Sequence, residues 1–519
     1  MTEPSPPRAT SPRDKIRSIH DLGVITETLK AAGETVVLAH GVFDLLHLGH
    51  VRHLEQAKSK GTRLIVTITA DKFVNKGPGR PIFSEAFRAE MLGALSFVDY
   101  VGINHAPSAE TVLDEIKPNI YVKGSDYENP EEDITGKISS ERMTVEKHGG
   151  QLVFTRDITF SSSALINRYL DVYDPPLRDL LEQMRANDGL NRMLSLIERI
   201  KDYRVVLVGD AIIDEYSYVR PMGKAAKENI LASRFDSREI FAGGVVAAAN
   251  HLATFCREIE IITCLGEEDS YEELIRSSLR PNVKLTPLYR KNSPTTRKCR
   301  FVDPAYTRKL FEVYYFEDSP LEAELESELD RVIRDKVKNA NVVIATDFGH
   351  GMITPHIIDV LCECSPFLAV NAQTNAGNQG YNLISKYHRA DFICLDAPEA
   401  RLAVADRFSD IADIIQRKLP EMVDVPRIII THGQHGCITF NRATNEVTRI
   451  PAFTNQVVDT VGAGDAFFVV TAPLVCAGGD LDAAGFIGNS AGAIKVGIVG
   501  HRTSVEKIPL VKFLTAILK

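Results

Sequence analysis

Short apolar runs recur along the second half of the chain, and each ends in a polar or glycine-rich stretch. The first, residues 204–208 (RVVLV), is followed by similar runs at 341–346, 367–370, 392–395 and 427–430. Each run has the length of one buried strand, and spans of helical length separate them. This alternation predicts a parallel β-sheet with helices on both faces, so the fold class is α/β.

The first half of the chain repeats this pattern over a shorter length. Residues 35–39 (TVVLA), 64–69 (LIVTIT), 98–101 and 120–122 have the composition of buried strands. The apolar spacing over 16–32 predicts a helix before the first of them. We therefore expect a second, smaller arrangement of strands and helices in this half.

Length and local composition predict the domain organisation. At 519 residues the chain exceeds one ordinary core. Residues 1–14 are rich in proline, serine and charge, which predicts a disordered tail. Two prolines interrupt the pattern near residue 175, and the apolar residues beyond them return at helical spacing. We expect one domain at 15–172, a helical linker at 173–202 that docks on a domain or mediates dimerisation, and another domain at 203–519.

Composition and charge narrow the class of protein. Apolar residues make up 44% and charged residues 25% of the chain, as in soluble globular proteins. The net charge of −9 argues against a nucleic-acid partner, and no apolar run is long enough for a membrane helix. The eight cysteines lack the spacing of a metal site, which indicates a reducing compartment. We expect a cytoplasmic enzyme that binds neither nucleic acid nor membrane.

The most specific stretch of the sequence is Asp459–Phe468, which reads DTVGAGDAFF. Gly462, Ala463 and Gly464 permit a tight turn, and a helix that starts there presents free N–H groups to an anion. Asp465 lies at the rim of this anion site and can take a proton from an attacking hydroxyl. A glycine-rich loop with a capping acid is the alternative. The stretch resembles the signature of the ribokinase-type (phosphofructokinase B) sugar kinases, which implies Asp465 as base and the three amides as the phosphate cradle.

A second motif, HGVFDLLHLGH, covers residues 40–50. His47 and His50 are three positions apart, so they face the same side of a helix that begins there. Gly49 leaves room for a phosphate, and two imidazoles at a helix start can stabilise the charge of a nucleotide triphosphate. A metal pair or an ordinary polar face is the alternative. The motif resembles the nucleotidyltransferase superfamily defined by H-x-G-H. The resemblance adds two residues to the nucleotide site, Gly41 and Phe43.

Residues downstream of this motif extend the resemblance. Lys123 and Asp126 lie in the string VKGSDY. This string is similar to the bifunctional heptose-phosphate kinase/adenylyltransferases of ADP-heptose synthesis, more than to the cytidylyltransferases for glycerol phosphate and ethanolamine phosphate. Taken alone, each basic or hydroxyl residue here reads as a surface or helix-capping residue. By resemblance, the residues that bind nucleotide phosphates are Lys76, Arg88, Lys123, Ser161, Ser162 and Ser163.

Carboxylates follow the first strand of the second domain, where the carboxyl edge of a sheet can bind sugar hydroxyls. Asp210 and Asp214 match the sugar-binding acids of the ribokinase-type enzymes. The resemblance adds three sugar-binding residues: Gly243, Gly244 and Asn371. The relatives read G-G-A-x-N-V-A at the glycine pair, whereas Ala247 stands here in place of their asparagine and Asn250 follows three positions later. This departure leaves the identity of the sugar open.

Residues 295–302 and 307–316 alternate between two faces, as strands do. Ribokinase-type enzymes carry a small β-sheet lid over the sugar, often paired between subunits. By resemblance these two segments, with 229–235, are candidates for the lid. Arg297 and Lys298 lie either on its solvated surface or near a phosphate already present on the substrate.

The nucleotide side of the kinase site is also predicted by resemblance. Asp396 and Glu399 match the family motif N-x-x-E, which organises Mg²⁺ and phosphate through water. An aspartate in the first position keeps an oxygen ligand and adds charge. Three residues resemble the nucleotide-side loop and the adenine pocket of the family: Gly433, Gly436 and Asn489.

These resemblances predict a bifunctional sugar-activating enzyme. They imply a Rossmann-like nucleotidyltransferase domain followed by a ribokinase-like α/β domain with a small β-sheet lid. ATP as substrate, Mg²⁺ as cofactor, a sugar phosphate and a homo-oligomer, most simply a dimer, are expected. In the heptose enzymes the kinase domain comes first, so the order here is reversed. The alternatives are a cytidylyltransferase for another sugar or polyol phosphate, and a domain that only senses nucleotide.

Overall fold

The structure, a computed structural model, describes residues 11–74, 80–124, 137–155, 173–305, 307–317, 319–454 and 457–519. The chain divides into two compact units. Met1–Asp174 and Val511–Lys519 form one, and Pro175–Leu510 forms the other. Both are of the predicted α/β class, while the domain bounds at residues 172 and 203 stay predictions.

The first unit is built on a six-stranded sheet in which all pairings are parallel, in the order β1-β4-β3-β2-β5-β6. Its strands are β1 Ile16–Arg17, β2 Val36–Gly41, β3 Arg63–Thr69, β4 Tyr100–Asn104, β5 Ile120–Gly124 and β6 Gln151–Thr155. Its helices are α1 Ile19–Ala31, α2 Leu48–Lys58, α3 Glu85–Gly93, α4 Glu110–Ile116 and α5 Lys137–Lys147, with 3₁₀ turns at Pro12–Lys15 and Asp71–Phe73.

Both faces of this sheet are covered, as is usual for a parallel sheet. Val37 and Ala39 of β2 pack in one hydrophobic cluster, whereas Val36 and Leu38 pack in another. All four side chains are fully buried. The unbroken apolar run that predicts β2 therefore reflects a strand that is buried on both faces.

The predicted disordered tail extends too far. Pro12–Lys15 form a 3₁₀ turn, and Lys15 Nζ donates to the carbonyl oxygens of Leu95 and Val98 at 2.9 and 2.7 Å. Because these bonds fix the segment against the first unit, the prediction is wrong for residues 12–14. Residues 1–10 lie outside the described part of the chain.

The second unit contains a nine-stranded sheet in the order β11-β10-β7-β14-β15-β16-β17-β18-β19. Seven strands are parallel, and β18 and β19 add an antiparallel hairpin at one edge. The strands are β7 Arg204–Gly209, β10 Glu258–Glu268, β11 Val283–Pro294, β14 Val342–Asp347, β15 Leu368–Ala372, β16 Phe392–Asp396, β17 Arg427–Thr431, β18 Cys437–Asn441 and β19 Glu446–Ile450.

A separate four-stranded sheet, which we call the lid, has the order β13-β12-β8-β9. Its strands are β8 Ala211–Lys224, β9 Leu231–Gly244, β12 Arg297–Asp303 and β13 Arg308–Tyr315. The segments predicted at 295–302 and 307–316 are strands β12 and β13 of this sheet. Strand β8 is not anticipated from the sequence.

Helices cover the large sheet of the second unit and include the two helices of the predicted linker, α6 and α7. Leu196 of α7 packs against Gly479, where a Cβ would lie 2.5 Å from the leucine side chain. The helices are α6 Pro175–Ala186, α7 Gly189–Arg199, α8 Val245–Leu252, α9 Glu272–Ser278, α10 Ala323–Lys336, α11 Pro355–Cys364, α12 Ala397–Ala403, α13 Ile411–Asp413, α14 Leu419–Met422, α15 Ala463–Cys476 and α16 Leu481–Lys495. The last helix, α17 Lys507–Leu518, begins in the second unit and continues into the segment assigned to the first. In the described part of the chain, no helix has both the length and the apolarity to cross a bilayer.

Candidate functional site

The strand order of the first sheet creates a crevice between β2 and β5. Strand β2 pairs with β3 on one side and with β5 on the other, so the strand order reverses at this point. Ligands of parallel sheets bind at such reversals, beyond the carboxyl ends of the strands. Because β2 ends at Gly41 and β5 ends at Gly124, the H-x-G-H motif and Lys123 flank the crevice.

The two motif histidines lie side by side at the start of α2. His47 is the N-cap residue, and His50 is in the first turn. Their ring centroids are 3.9 Å apart, with 24° between the ring planes. Phe43, whose backbone is left-handed with φ of 49°, packs its ring edge-on against His50 at 5.1 Å. The turn after β2 thus brings both imidazoles to the positive end of a helix dipole, where an anion binds favourably.

Lys123 adds positive charge near two other histidines, His40 and His53. Its Nζ lies 2.9 Å from the carboxylate of Glu141. Burial, followed by the charge of Lys123, lowers the pKa of His40 to about 3 and also lowers the pKa of His53. His40 is therefore neutral at physiological pH. Lys123 is close enough to influence His40, at the start of the motif, and His53, on α2, while its role in binding nucleotide stays a prediction.

Arg88 is not available for a phosphate contact. Its side chain is fully buried, and the guanidinium donates to the carbonyl oxygens of Val42 and Thr69 and to Asp71 Oδ1, at 2.5, 2.9 and 2.6 Å. Since the protein engages this guanidinium, its assignment as a nucleotide-binding residue is corrected to an internal one. Four other predicted residues lie outside the described part of the chain: Lys76, Ser161, Ser162 and Ser163.

The large sheet of the second unit carries a cleft of about 190 Å³ at the carboxyl ends of β15, β16 and β17. The residues that line it include Asn371, Gln373, Asp396, Glu399, Thr431, Gly464 and Asp465. Gly462 has φ of 73° and caps α15, which begins at Ala463. Asp465 is in the first turn of α15, so the glycine turn, a helix start and the candidate base meet at this cleft.

The environment of Asp465 favours a basic carboxylate. Burial raises the pKa of Asp465, and a hydrogen bond from Gln373 opposes this shift. Gln373 Nε2 lies 2.5 Å from Asp465 Oδ1. Asn371 accepts from the same amide at 2.8 Å, so the structure groups Asn371 with the base and not with the sugar acids, where the sequence placed it.

Asp396 and Glu399 cap the start of α12 reciprocally. Glu399 N donates to Asp396 Oδ1 at 2.8 Å, and Asp396 N donates to Glu399 Oε2 at 3.0 Å. Burial, followed by the charge of Asp396, raises the pKa of Glu399 to about 8. Two adjacent carboxylates that resist joint ionisation fit a divalent cation, because the cation offsets their repulsion. Within the described residues no group of three or more metal-ligating side chains occurs, so Mg²⁺ here would rely on phosphate and water ligands as well.

The remaining predicted nucleotide residues are not among those that line the cleft, and the structure shows local roles for them. Gly433 and Gly436 have φ of 51° and 83°, and a Cβ on Gly436 would lie 1.9 Å from the carbonyl oxygen of Ile450. The turn after β17 therefore requires glycine. Asn489 Nδ2 donates to the carbonyl oxygens of Ile450 and Pro451 at 3.1 and 3.0 Å. This amide thus ties α16 to the end of β19.

Asp210 and Asp214 are both buried, but their charges differ. Burial opposes ionisation of Asp214, yet the hydrogen bond from His501 and the charge of Arg300 outweigh it and hold the pKa of Asp214 below its usual value. Burial, followed by the charge of Asp347, raises the pKa of Asp210 to about 7. One acid is therefore a fixed anion, whereas the other titrates near neutrality.

The predicted glycine pair makes room for these acids. A Cβ on Gly243 would lie 1.9 Å from Asp214 Oδ2, and a Cβ on Gly244 would lie 2.4 Å from the carbonyl oxygen of Asp210. Asn250 does not substitute for the asparagine missing at Ala247. Its amide donates to Ser278 O at 3.0 Å and accepts from Arg280 N at 3.1 Å, so Asn250 is a structural residue.

Lys298 and His350 join this group of residues. Lys298 is only 8% exposed, which excludes the solvated-surface alternative, and its Nζ lies 5.2 Å from the Tyr314 ring centroid. Both ring nitrogens of His350 are buried without a hydrogen-bond partner. His350 N donates to Asp210 Oδ2 at 3.4 Å. Burial, followed by the charge of Lys298, lowers the pKa of His350 to about 3, so a neutral imidazole and a cation adjoin the sugar acids.

Comparisons with known proteins agree with this geometry. The family described as pfkB family carbohydrate kinase matches residues 202–508, and the family described as Cytidylyltransferase-like matches residues 38–168. The Bifunctional protein HldE of Syntrophotalea carbinolica is 37% identical over 163 residues, which cover 31% of this chain and 32% of that protein. The HldE protein of Nitratiruptor sp. is 25% identical over 324 residues, covering 60% of this chain and 67% of that protein.

A solved structure shares the fold of the second unit. Phosphofructokinase-2 from Escherichia coli, in complex with potassium, has a TM-score of 0.50 and 13% identity, and the match covers 61% of this chain and all of that one. The match to the first HldE relative spans about a third of its length. The pfkB match, by contrast, covers more than half of this chain. The protein therefore belongs to the pfkB family of carbohydrate kinases and carries a cytidylyltransferase-like domain ahead of its kinase domain.

Proposed function

We propose that the protein activates a sugar phosphate in two ATP-dependent steps. The kinase domain transfers the γ-phosphoryl group of ATP to the anomeric hydroxyl of a heptose 7-phosphate-like sugar. The N-terminal domain transfers the adenylyl group of a second ATP to the sugar 1-phosphate, giving an ADP-sugar and pyrophosphate. The observation that carries this proposal is the position of Asp465, in the first turn of a helix that opens at a glycine turn onto two further carboxylates.

In the kinase step, the sugar hydroxyl oxygen attacks the γ-phosphorus while Asp465 takes the hydroxyl proton. Free N–H groups at the start of α15 stabilise the charge on the transferred group. Lys495 is fully buried and donates to the carbonyl oxygens of Val461 and Gly500 at 2.7 and 2.8 Å, which adds a positive charge beneath the turn. Mg²⁺, when held through Asp396 and Glu399, would neutralise part of the phosphate charge.

The buried cation beside the predicted sugar acids, Asp210 and Asp214, supports a substrate that already carries a phosphate. Burial lowers the pKa of Lys298, so holding this side chain in its protonated form costs free energy. No hydrogen bond or ion pair in the described residues engages the Lys298 ammonium. An anionic substrate group would offset this cost, because a buried charge is stable only when it is paired. The imidazole ring of His350, whose nitrogens have no hydrogen-bond partner among the described residues, offers an additional donor.

The N-terminal step needs no protein nucleophile. The sugar 1-phosphate attacks the α-phosphorus of ATP, and pyrophosphate leaves with the electron pair of the broken bond. His47 and His50 at the start of α2, with Lys123 nearby, support this step because they position the triphosphate and stabilise developing charge. The resemblance of the VKGSDY string to the heptose enzymes supplies the ADP-heptose-like product, and the printed name of the HldE relatives, a bifunctional protein, supports two activities in one chain.

A cytidylyltransferase acting on another sugar or polyol phosphate is the second candidate, and the description of the matching N-terminal family favours it. Pyrophosphate release with ATP and CTP in competition distinguishes the two. We expect ATP to be used and CTP to compete weakly. Preferential use of CTP would replace the adenylyltransferase proposal and leave the kinase proposal intact.

Two single substitutions test the assignment of the two sites. Asp465→Asn should lower sugar-dependent ADP formation by about a hundredfold or more, because general base catalysis contributes that much, and should leave pyrophosphate release from sugar 1-phosphate unchanged. His50→Ala should show the opposite pattern. If Asp465→Asn leaves ADP formation unchanged, the kinase mechanism is wrong, and pyrophosphate release that survives His50→Ala removes the N-terminal mechanism.

We also propose that the protein is a cytoplasmic homodimer. The eight cysteines are all free thiols, in keeping with a reducing compartment. The lid exposes large apolar side chains that a second copy can cover: Met222, Ile230, Leu231, Phe235 and Phe311. Light scattering of the wild type and of Phe235→Asp tests the dimer, because a charge in an apolar interface should yield monomers.

A further inference from the structure

The side chain of Gln373 contacts the candidate base, and the DTVGAGDAFF motif gives no indication of it. Gln373 follows β15, and its Nε2 lies 2.5 Å from Asp465 Oδ1 and 2.8 Å from Asn371 Oδ1. The amide nitrogen therefore bridges two acceptor oxygens. Gln373 and Asp465 are 92 positions apart in the chain, so only the fold brings them together.

Chemical constraints fix the direction of this contact. Asn371 Nδ2 donates to the carbonyl oxygen of Cys394 at 2.7 Å, and a carbonyl oxygen can only accept. The oxygen of Asn371 must therefore point toward Gln373. Because Asn371 Oδ1 and an ionised Asp465 both accept, the NH₂ group of Gln373 and not its oxygen must lie between them.

The backbone of Gln373 is also fixed. Its N–H donates to the carbonyl oxygen of Asp347 at 2.8 Å, and its own carbonyl accepts from Asn382 Nδ2 at 2.9 Å. The next residue, Thr374, donates its N–H to Glu399 Oε1 at 3.2 Å. One short segment thus contacts both the candidate base and a carboxylate of the predicted magnesium pair. These contacts argue that Gln373 belongs to the site and is not a mobile surface side chain.

We propose that Gln373 is a positioning residue for phosphoryl transfer: it occupies Oδ1 of Asp465 and leaves Oδ2 as the atom that accepts the substrate proton. This inference rests on the proposed kinase function. In the step, the substrate O–H bond breaks and its proton moves to Oδ2, while the oxygen forms a bond to the γ-phosphorus. The bond from that phosphorus to the bridging oxygen breaks, and ADP leaves with the electron pair. Gln373 neither gives nor takes a proton.

The hydrogen bond also has an electrostatic effect. Burial of Asp465 raises the pKa of this carboxyl, and donation from Gln373 lowers it. Without the donor, the base would hold its proton to a higher pH. The amide thus keeps Asp465 both oriented and ionised in the pH range in which the hydroxyl must be deprotonated.

An infrared titration tests this without substrate. The difference between wild-type and Asp465→Asn spectra identifies the Asp465 carboxyl band, whose midpoint is followed in Gln373→Leu. We expect the midpoint to rise by about one pH unit. The matched control is Gln379→Leu, at an exposed position of the same loop, which should leave the midpoint unchanged.

Steady-state kinetics supply the second measurement. With ATP and heptose 7-phosphate, Gln373→Leu should shift the acid limb of the kcat profile upward by the same amount and lower kcat below that limb about tenfold, with KM for ATP unchanged. If the infrared midpoint moves while no sugar phosphate supports ADP formation by the wild type, the control of Asp465 by Gln373 is supported and the proposed function fails. An unchanged midpoint together with an unchanged pH profile in folded Gln373→Leu overturns the inference.

A second variant covers the case in which Gln373→Leu does not fold. Gln373→Glu keeps the size and shape of the side chain, and circular dichroism verifies its fold. Two carboxylates at this separation share one proton, so the midpoint of the pair should rise by more than one unit. An unshifted midpoint in Gln373→Glu would likewise refute the contact.

Discussion

Lys309 Nζ lies 2.9 Å from Asp459 Oδ1, which ties the edge strand of the lid to the loop that precedes α15. Asp459 also accepts from Tyr216 Oη at 2.7 Å and from Gly500 N at 2.8 Å. Although burial opposes ionisation, these three donors lower the pKa of Asp459 to about 2. The first acid of the glycine motif is therefore an internal anchor, whereas the second, Asp465, faces the cleft.

Breaking this anchor should loosen the lid. Lys309→Met removes the charged donor to Asp459, so we expect a loss of about 1–3 kcal/mol of lid closure. KM for the sugar phosphate should rise about tenfold, while kcat changes less, because the chemistry depends on Asp465. Initial rates of ADP formation at varied sugar phosphate measure this effect. Arg308→Met, at the neighbouring exposed position, is the matched control, and an equal KM in both variants would contradict the anchor.

Asp210 predicts a dependence of stability on pH. Its carboxyl has a pKa of about 7 when folded, against 3.8 for the unfolded group. The folded protein therefore binds more protons than the unfolded chain between these values, and stability falls as pH rises from about 4 to about 7. Above this window the loss is complete and the curve is flat.

The substitution Asp210→Asn removes this loss. We expect the free energy of unfolding to increase by about 2–4 kcal/mol above pH 7 and to change less near pH 4. The rate of sugar phosphorylation should fall, because the variant lacks a carboxylate that accepts hydrogen bonds from the sugar hydroxyls. Thermal unfolding across this pH range measures the stability. Asp335→Asn, at a surface position with 70% of its side chain exposed, should behave as the wild type, and a similar gain there would refute the assignment.

Both motifs were recognisable in the sequence because each is a run of consecutive residues at a helix start. The backbone alone brings Gly462 and Asp465, or His47 and His50, to one anion site. Gln373 and His350 come from other strand ends, and nothing local marks them. Their roles depend on the strand order of the large sheet, which one sequence does not specify.

The strand and the buried residues that the sequence did not predict have a similar origin. Central parallel strands such as β7 and β14 appear as continuous apolar runs because they are buried on both faces. Strand β8 is missed because it carries acids, a proline and a glycine within Ala211–Lys224. Lys298 reads as a surface residue by type, yet Lys298 and Arg300 are two apart and so share one face of β12. That shared face was the available signal for a charged pocket.

A substitution at Asn250 tests whether this residue, close to the Gly243–Gly244 pair in the sequence, is structural and does not bind sugar. Its amide joins α8 to the residues around Ser278. We expect Asn250→Ala to destabilise the kinase unit by about 0.5–1.5 kcal/mol, because two partly buried hydrogen bonds to the backbone are lost. KM for sugar phosphate should stay within a factor of two at temperatures where the protein is folded. Denaturant unfolding and sugar kinetics measure the two effects, and a large rise in KM without loss of stability would restore a sugar-binding role.

A substitution at Arg88 distinguishes an internal structural role of this residue from a phosphate contact in the N-terminal unit. Arg88→Met leaves the carbonyl oxygens of Val42 and Thr69 without their donor, and Asp71 loses its partner. We expect a loss of about 2–4 kcal/mol in the stability of this unit. Peptides from β2 and β3 should exchange amide hydrogen faster, while peptides from the second unit stay protected.

Nucleotide kinetics complete the comparison. Because the guanidinium is engaged by the protein, KM for ATP in pyrophosphate release should remain close to that of the wild type in the folded fraction of Arg88→Met. Arg142→Met, an exposed position on α5, controls for loss of one positive charge and should change neither exchange nor KM. A phosphate contact predicts the reverse for Arg88→Met: unchanged exchange in β2 and β3, and a KM for ATP raised about tenfold, the effect of losing a charged hydrogen bond.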